Sequence, residues 1–190
     1  MRQMTAVSVS QLSVLQASLS KANLSKASAN CFTEFDTQLG RVTLTSNGDA
    51  LTGFYFAGQK YFPTAIRCGE RDDSLPLFAQ AQQQFRQYEQ GTLDKFNLPL
   101  QFNGTAFQQK VWQALLTIPN GRTLSYGQLA CAISAPTAVR AVGAAVGRNP
   151  LSVIVPCHRV LGANGSLTGY AGGLSRKQQL LQLEGALARC

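Results

Sequence analysis

From Cys31 to Phe56 apolar and polar residues alternate, and the run is broken at Leu39-Gly40 and Asn47-Gly48, so antiparallel hairpins are predicted there. The period then lengthens. In LPLFAQAQQQFRQYEQ, residues 75 to 90, Leu77, Ala81, Phe85 and Tyr88 fall on one stripe and predict a helix. Strands and helix together make a small α+β unit over residues 31 to 95. The stretch DKFNLPLQFNG has no helical period, and residues 96 to 103 read as a connection. Before the first strand, residues 1 to 30 hold no acid, are rich in Ser, Ala and Gln, and place Leu12, Leu15 and Leu19 at helical spacing. They lack the apolar core of a secretory signal, so a loosely docked extension is expected.

Residues 104 to 190 read as helical and well punctuated. Thr105-Ala-Phe-Gln108 has the form of a capping box, opening a helix that buries Phe107, Val111 and Leu115, with Trp112 and Leu116 beside them, until Pro119-Asn-Gly121. Ser125-Tyr-Gly-Gln128 is a second box. A turn through Ser134-Ala135-Pro136 leads to a further helix, TAVRAVGAAVG, closed by Asn149-Pro150. Two helices so closely joined suggest a helix-turn-helix. On the second, Val139, Val142 and Val146 form the expected inward stripe, while Ala138, Ala141, Gly143, Ala144 and Ala145 leave the rest bare apart from Arg140. Such a surface cannot read many base edges, but it can approach another backbone closely and place one guanidinium in a minor groove. A helix buried on two sides against the first unit would look the same.

Charge strengthens the nucleic-acid reading. Residues 1 to 99 hold nine Lys/Arg against eight Asp/Glu, whereas residues 100 to 190 hold eight Lys/Arg against Glu184 alone. The basic half calls for a polyanionic partner. No stretch approaches the roughly 18 to 20 apolar residues of a membrane helix, so a soluble, cytoplasmic protein without membrane contact is expected. The five cysteines, 31, 68, 131, 157 and 190, never form CxxC, and one histidine accompanies them. Reduced thiols and no metal site are expected.

The candidate chemistry lies in VIVPCHRV, residues 153 to 160, where Cys157 adjoins the only histidine, His158. Ser152-Val-Ile-Val155 reads as a short buried strand ended by Pro156, putting Cys157 in the following turn, where unpaired N–H groups and nearby cations favour a thiolate. The final helix begins at an apparent third capping box, Ser175-Arg-Lys-Gln178, and buries Leu180, Leu183 and Leu187, which lets Glu184 face inward. Cys, His and Glu are the parts of an activated thiol. The segment Gly162-Ala-Asn-Gly165 through Gly169-Tyr-Ala-Gly-Gly173 reads as a hairpin followed by a glycine-rich stretch able to fold over a ligand.

NPLSVIVPCHRVLGANGSLTGYAGGLSRKQQLLQLEG, with GTAFQQKVWQAL and SYGQLACAISAPTAVRAVGAA, resembles the O6-methylguanine-DNA methyltransferase family. The resemblance is dense from about Gly104 to Gly185 and looser over 32 to 98. It implies an N-terminal ribonuclease-H-like α/β domain followed by a winged helix-turn-helix C-terminal domain. It implies that Cys157 accepts the alkyl group of O6-alkylguanine, and more weakly of O4-alkylthymine, once per molecule and without cofactor. In that scheme His158 is the base acting through a water, Glu184 orients it, and Tyr126 donates a proton to the leaving guanine. Arg140 fills the stack vacated by the flipped nucleotide, with Thr137, Ala138, Ala141 and Arg148 beside it on the DNA. Asn149 ties the helix to the cysteine turn, and Val160, Tyr170, Ala171, Gly172 and Gly173 line or cover the base pocket. The implied partner is duplex DNA carrying O6-alkylguanine, bound by a monomer, with cooperativity on DNA left open and a nucleoid association in a prokaryotic host. A non-catalytic winged-helix protein that recognises alkylated bases is the alternative, against which Cys157 argues. A thiol hydrolase would leave Arg140 and the basic helices idle.

Overall fold

The computed structural model describes residues 30–64 and 69–188. The expected N-terminal extension, Cys68 and Cys190 lie outside those residues. Strands β1 (Cys31–Thr37), β2 (Gly40–Ser46) and β3 (Leu51–Phe56) form an antiparallel meander, and β4 (Glu70–Arg71) joins β1 in parallel, giving the order β3-β2-β1-β4. Both predicted turns are present. At the second, Gly48 adopts φ 98° while the Asn47 carboxamide accepts from the backbone N–H of Asp49 and Ala50.

Helix α1 (Pro76–Glu89) lays Phe78, Ala81, Phe85 and Tyr88 on the sheet. Phe78 takes the inward place expected of Leu77, which is only half-buried; at about 100° per residue either residue completes a stripe of about 80° with Ala81, Phe85 and Tyr88. Ring contacts run from Phe54 to Phe85 at 5.0 Å, Phe85 to Tyr88 at 5.9 Å and Tyr88 to Phe96 at 5.4 Å. This row fixes the Tyr88 ring on both sides. The connecting segment is extended along the sheet edge: Leu51 N–H donates to Pro99 C=O and Gln101 N–H to Leu51 C=O, each at 2.9 Å.

Helix α2 (Ala106–Leu115) starts at the Thr105 capping box, with both reciprocal bonds formed. It buries Val111, Trp112 and Leu115, whereas Phe107 is half-buried and Leu116 is exposed. Strand β5 (Leu124–Ser125) leads directly into α3 (Tyr126–Ala132), which is opened by the Ser125 capping box. Helix α4 (Val139–Gly147) follows, its inward residues being Val142, Ala145 and Val146. Val139 is instead 38% exposed. The reason is the Trp112 indole N–H, which donates to Ala145 C=O at 2.9 Å and draws the later turns of α4 onto α2, leaving the first turn uncovered.

A one-turn 3₁₀ helix, Cys157–Arg159, runs into β6 (Val160–Leu161), which pairs in parallel with β5. The tip at residues 162 to 166 closes by Gly162 N–H to Ser166 C=O at 2.9 Å, yet no assigned strand returns beside β6, so the expected hairpin is a turn only. Helix α5 (Leu174–Leu183) starts before the expected third capping box. Its N-cap is Gly173 at φ 90°, with no side-chain bond, so Ser175 already lies inside the first turn, where its hydroxyl cannot cap. The helix buries Lys177, Leu180 and Leu181; Leu183 and Leu187 are half-buried. Among the described residues no helix is long and apolar enough to cross a membrane.

Candidate active site

The segment before the cysteine is a tight turn where the β-branched run suggested a strand. Leu151 bridges Phe54 of β3, Ser152 bridges Val155, and Val153 between them has φ 68°. A β-branched residue in the left-handed region costs about 1–3 kcal/mol and persists only where its surroundings enforce it. Asn149, just after α4, does the enforcing. Its Oδ1 accepts from Leu151 N–H at 3.0 Å, and its Nδ2 donates to Val155 C=O at 2.8 Å and lies 3.1 Å from Cys157 Sγ. One buried amide thus spans the turn and reaches the sulfur.

Cys157 is 3% exposed and free. Burial pushes its thiol up to about 11, against the Asn149 hydrogen bond, the Lys177 charge and the backbone N–H groups of Cys157 and His158. The turn does supply the expected amides and cation, but desolvation outweighs them. The resting group is a thiol, and a base is needed to make it a nucleophile.

The chain's single histidine, His158, follows Cys157 directly. His158 is fully buried, and burial holds its imidazole below the usual range despite the raising influence of Glu184; Arg159 and Lys177 push the same way as burial. Its Nε2 is 2.9 Å from Glu184 Oε1. A carboxylate only accepts, so the proton sits on Nε2 and the lone pair on Nδ1. That Nδ1 is buried without a hydrogen-bond partner. Burial opposes ionisation of Glu184, but hydrogen bonds from His158 and Arg159 hold its carboxyl at about 2. Arg159 Nε donates to Oε2 at 2.9 Å and Nη2 to Oε1 at 2.8 Å, in a bidentate pair. Tyr88 Oη of α1 donates to the same Oε1 at 2.7 Å. Cys157, His158 and Glu184 are therefore brought together as expected, while Arg159 and Tyr88 were not anticipated here. Arg159 is adjacent to His158 in the chain, which was the available signal.

Above the cysteine lies the glycine-rich segment. Tyr126 opens α3, and its hydroxyl is 3.3 Å from the carbonyls of both Thr168 and Gly169; burial raises its phenol. A β-carbon on Gly169 would stand 2.9 Å from that oxygen. Tyr170 is buried, its ring 6.5 Å edge-on from His158 and its hydroxyl without a hydrogen-bond partner. Gly172 is buried against Tyr170 and Phe56, and a β-carbon there would come within 2.7 Å of the Tyr170 ring. The segment is tied down at several points: Lys60 N–H donates to Ala171 C=O, Arg176 Nη1 to Gly172 C=O, and Arg176 Nε to Leu39 C=O. Lys177, another residue not anticipated, is fully buried and donates to the carbonyls of Val160 and Thr168. Burial brings its ammonium down to about 8, opposed by the nearby Cys157.

The face of α4 expected to meet DNA is open. Thr137, Arg140 and Ala141 are exposed and Ala138, the N-cap of α4, is half-buried. Arg148 is exposed too, but its guanidinium lies 5.6 Å over the Tyr61 ring. Among the described residues no group of three His, Cys, Asp or Glu side chains converges as a metal site.

Comparison with known proteins accounts for both parts of the chain. Residues 31–102 match the family described as 6-O-methylguanine DNA methyltransferase, ribonuclease-like domain, and residues 106–186 match its DNA binding domain. The methylated-DNA–protein-cysteine methyltransferase of Mycobacterium tuberculosis is 46% identical over 153 residues, covering 80% of this chain and 91% of that protein. The protein of that name from Haemophilus influenzae is 45% identical over 154 residues, covering 80% and 85%. The crystal structure of Mycobacterium tuberculosis OGT in complex with DNA superposes with a TM-score of 0.76 at 46% identity, covering 82% of this chain and 93% of that one. With a ribonuclease-like unit, a DNA-binding unit and a buried Cys-His-Glu cluster in one chain, the protein belongs to the methylated-DNA–protein-cysteine methyltransferase family.

Proposed function

We propose that this protein repairs duplex DNA by direct reversal, taking the alkyl group of O6-alkylguanine, and more weakly of O4-alkylthymine, onto Cys157. The observation that carries the reading is a buried thiol next in the chain to a buried histidine whose Nδ1 has no hydrogen-bond partner and whose Nε2 is held by Glu184. His158 Nδ1 takes the thiol proton through a bridging water. The sulfur attacks the alkyl carbon, a C–S bond forms, and the C–O bond breaks with its electron pair passing to the guanine. Tyr126 donates its phenol proton to the departing ring, which neutralises the leaving group. Glu184, already paired with Arg159, stabilises the imidazolium that results.

A thioether has no ready leaving group, so each molecule acts once. Every group of this scheme comes from a single chain, which supports a monomer as the working unit. The α4 face carries one long side chain, Arg140, among Thr137, Ala138 and Ala141, which suits insertion into a minor groove and extrusion of the nucleotide at a cost of a few kcal/mol, least for a poorly paired lesion. Asn149 and Val160 line the pocket, and Tyr170, Ala171, Gly172 and Gly173 cover it. Action on DNA goes with a cytoplasmic, nucleoid-associated location in a prokaryotic host.

Peptide mass spectrometry after incubation with a duplex holding one O6-methylguanine tests the reading. One methyl group on Cys157 and no more per chain is expected. Unmodified protein that still binds the duplex would overturn transfer and leave a lesion-recognition role.

A further inference from the structure

Tyr88 belongs to α1, in the ribonuclease-like unit, and by its helical spacing it reads as a packing residue. Its ring does pack, between Phe85 and Phe96, and it is 2% exposed. A phenylalanine would fill that space equally well. The hydroxyl is what needs explaining: unlike that of Tyr170, which is buried without a partner, it is bonded, to Glu184 Oε1 at 2.7 Å across 96 residues of chain. That oxygen also faces His158 Nε2 at 2.9 Å and Arg159 Nη2 at 2.8 Å.

We infer that Tyr88 is a positioning residue of the acceptor site: by donating to the carboxylate oxygen shared with His158, it limits how strongly Glu184 draws on the imidazole proton. The inference rests on the alkyl-transfer reading above. The oxygen has a finite capacity for donors, and each added donor disperses charge that would otherwise stabilise the imidazolium. An imidazole paired too strongly would be protonated at working pH and useless as a base for Cys157. Among the described residues, the groups acting on the ring are Lys177 of α5 and Glu184 at its C-cap, Arg159 from the 3₁₀ turn, the Tyr170 ring from the glycine-rich segment, and Tyr88, through Glu184, from α1. Tyr88 is the sole contribution of the N-terminal unit among them.

The chain has one histidine, so its ring nitrogens can be titrated by ¹⁵N NMR in the full-length protein without ambiguity. In Tyr88→Phe the His158 titration is expected to move up by about one pH unit, and the low-pH limb of the alkyl-transfer rate should move up with it. A purely structural hydroxyl would lower the melting temperature and leave both titrations where they are, and that result overturns the inference. Site-specific 3,5-difluorotyrosine at position 88 keeps the ring and strengthens the donor, so it should move the titration down, and it serves if the Phe variant fails to fold. An unmoved His158 in the difluorotyrosine protein overturns the inference independently. Wild-type protein that transfers no alkyl group would sink the functional reading while the histidine titration still decides the role of Tyr88.

Discussion

The carboxamide nitrogen of Asn149 lies 3.1 Å from the sulfur of Cys157, and the same side chain spans the turn whose middle residue, Val153, has φ 68°. Strained backbone and nucleophile therefore depend on one buried amide. Asn149→Ala removes the donor to Val155 C=O and orphans the Leu151 N–H, which should lower stability by about 2–4 kcal/mol. Urea denaturation measures that loss, and the rate of transfer to Cys157 should fall at least about tenfold.

Burial moves the Cys157 thiol from 9.0 to about 11, so at neutral pH its thiolate fraction is about a hundredfold below that of an ordinary thiol. Peptide-mapped labelling with iodoacetamide at pH 7.5 should therefore modify the exposed Cys131 well before Cys157. Equal labelling would mean that the site opens freely without DNA.

Stability should decline in two stages on acidification. His158 is depressed by burial, so the unfolded chain binds its proton more readily and stability begins to fall below about pH 6.5. Glu184 is held at about 2 against an ordinary 4.5 by His158 and Arg159, so its contribution is present above 4.5 and lost between 4.5 and about 2. Melting temperatures across pH 3 to 8 check this, and Glu184→Gln should flatten the lower stage.

Gly172 has no room for a side chain, since a β-carbon would meet the Tyr170 ring at 2.7 Å and Phe56 at 3.3 Å. Gly172→Ala should push Tyr170 aside and slow transfer from both duplex and free O6-benzylguanine, while DNA binding stays within about twofold.

Arg140→Ala should behave in the opposite manner. Repair in duplex should fall at least about tenfold while reaction with free O6-benzylguanine is unchanged, because only the duplex must be opened. Equal loss on both substrates would remove the groove-insertion role.

Much of the architecture was legible along the chain because its signals are local. The hairpin turns, the Thr105 and Ser125 capping boxes and the inward placement of Glu184 all follow from residues within a few positions of one another. What escaped depended on partners far away. Val139 is exposed because an indole on α2 selects Ala145, and Ser175 does not cap because Gly173 lets α5 start early. VIVP has the composition of a strand, and only the Asn149 clamp turns it. Lysine is almost never fully buried, so nothing in the neighbourhood of Lys177 signals that it binds two carbonyls beneath the glycine-rich segment.

The Tyr88–Glu184 bond joins residues 96 apart, and Arg159 on the intervening turn meets the same carboxylate. Contacts of such span close late, after the local helices and hairpins have formed. Full competence to accept an alkyl group is therefore a report on both units at once: a molecule with either the ribonuclease-like or the DNA-binding unit unfolded lacks a member of the site. Counting the fraction of molecules that accept one alkyl group thus also counts the fraction correctly folded, so a preparation's titre against a tight alkyl donor measures its conformational purity.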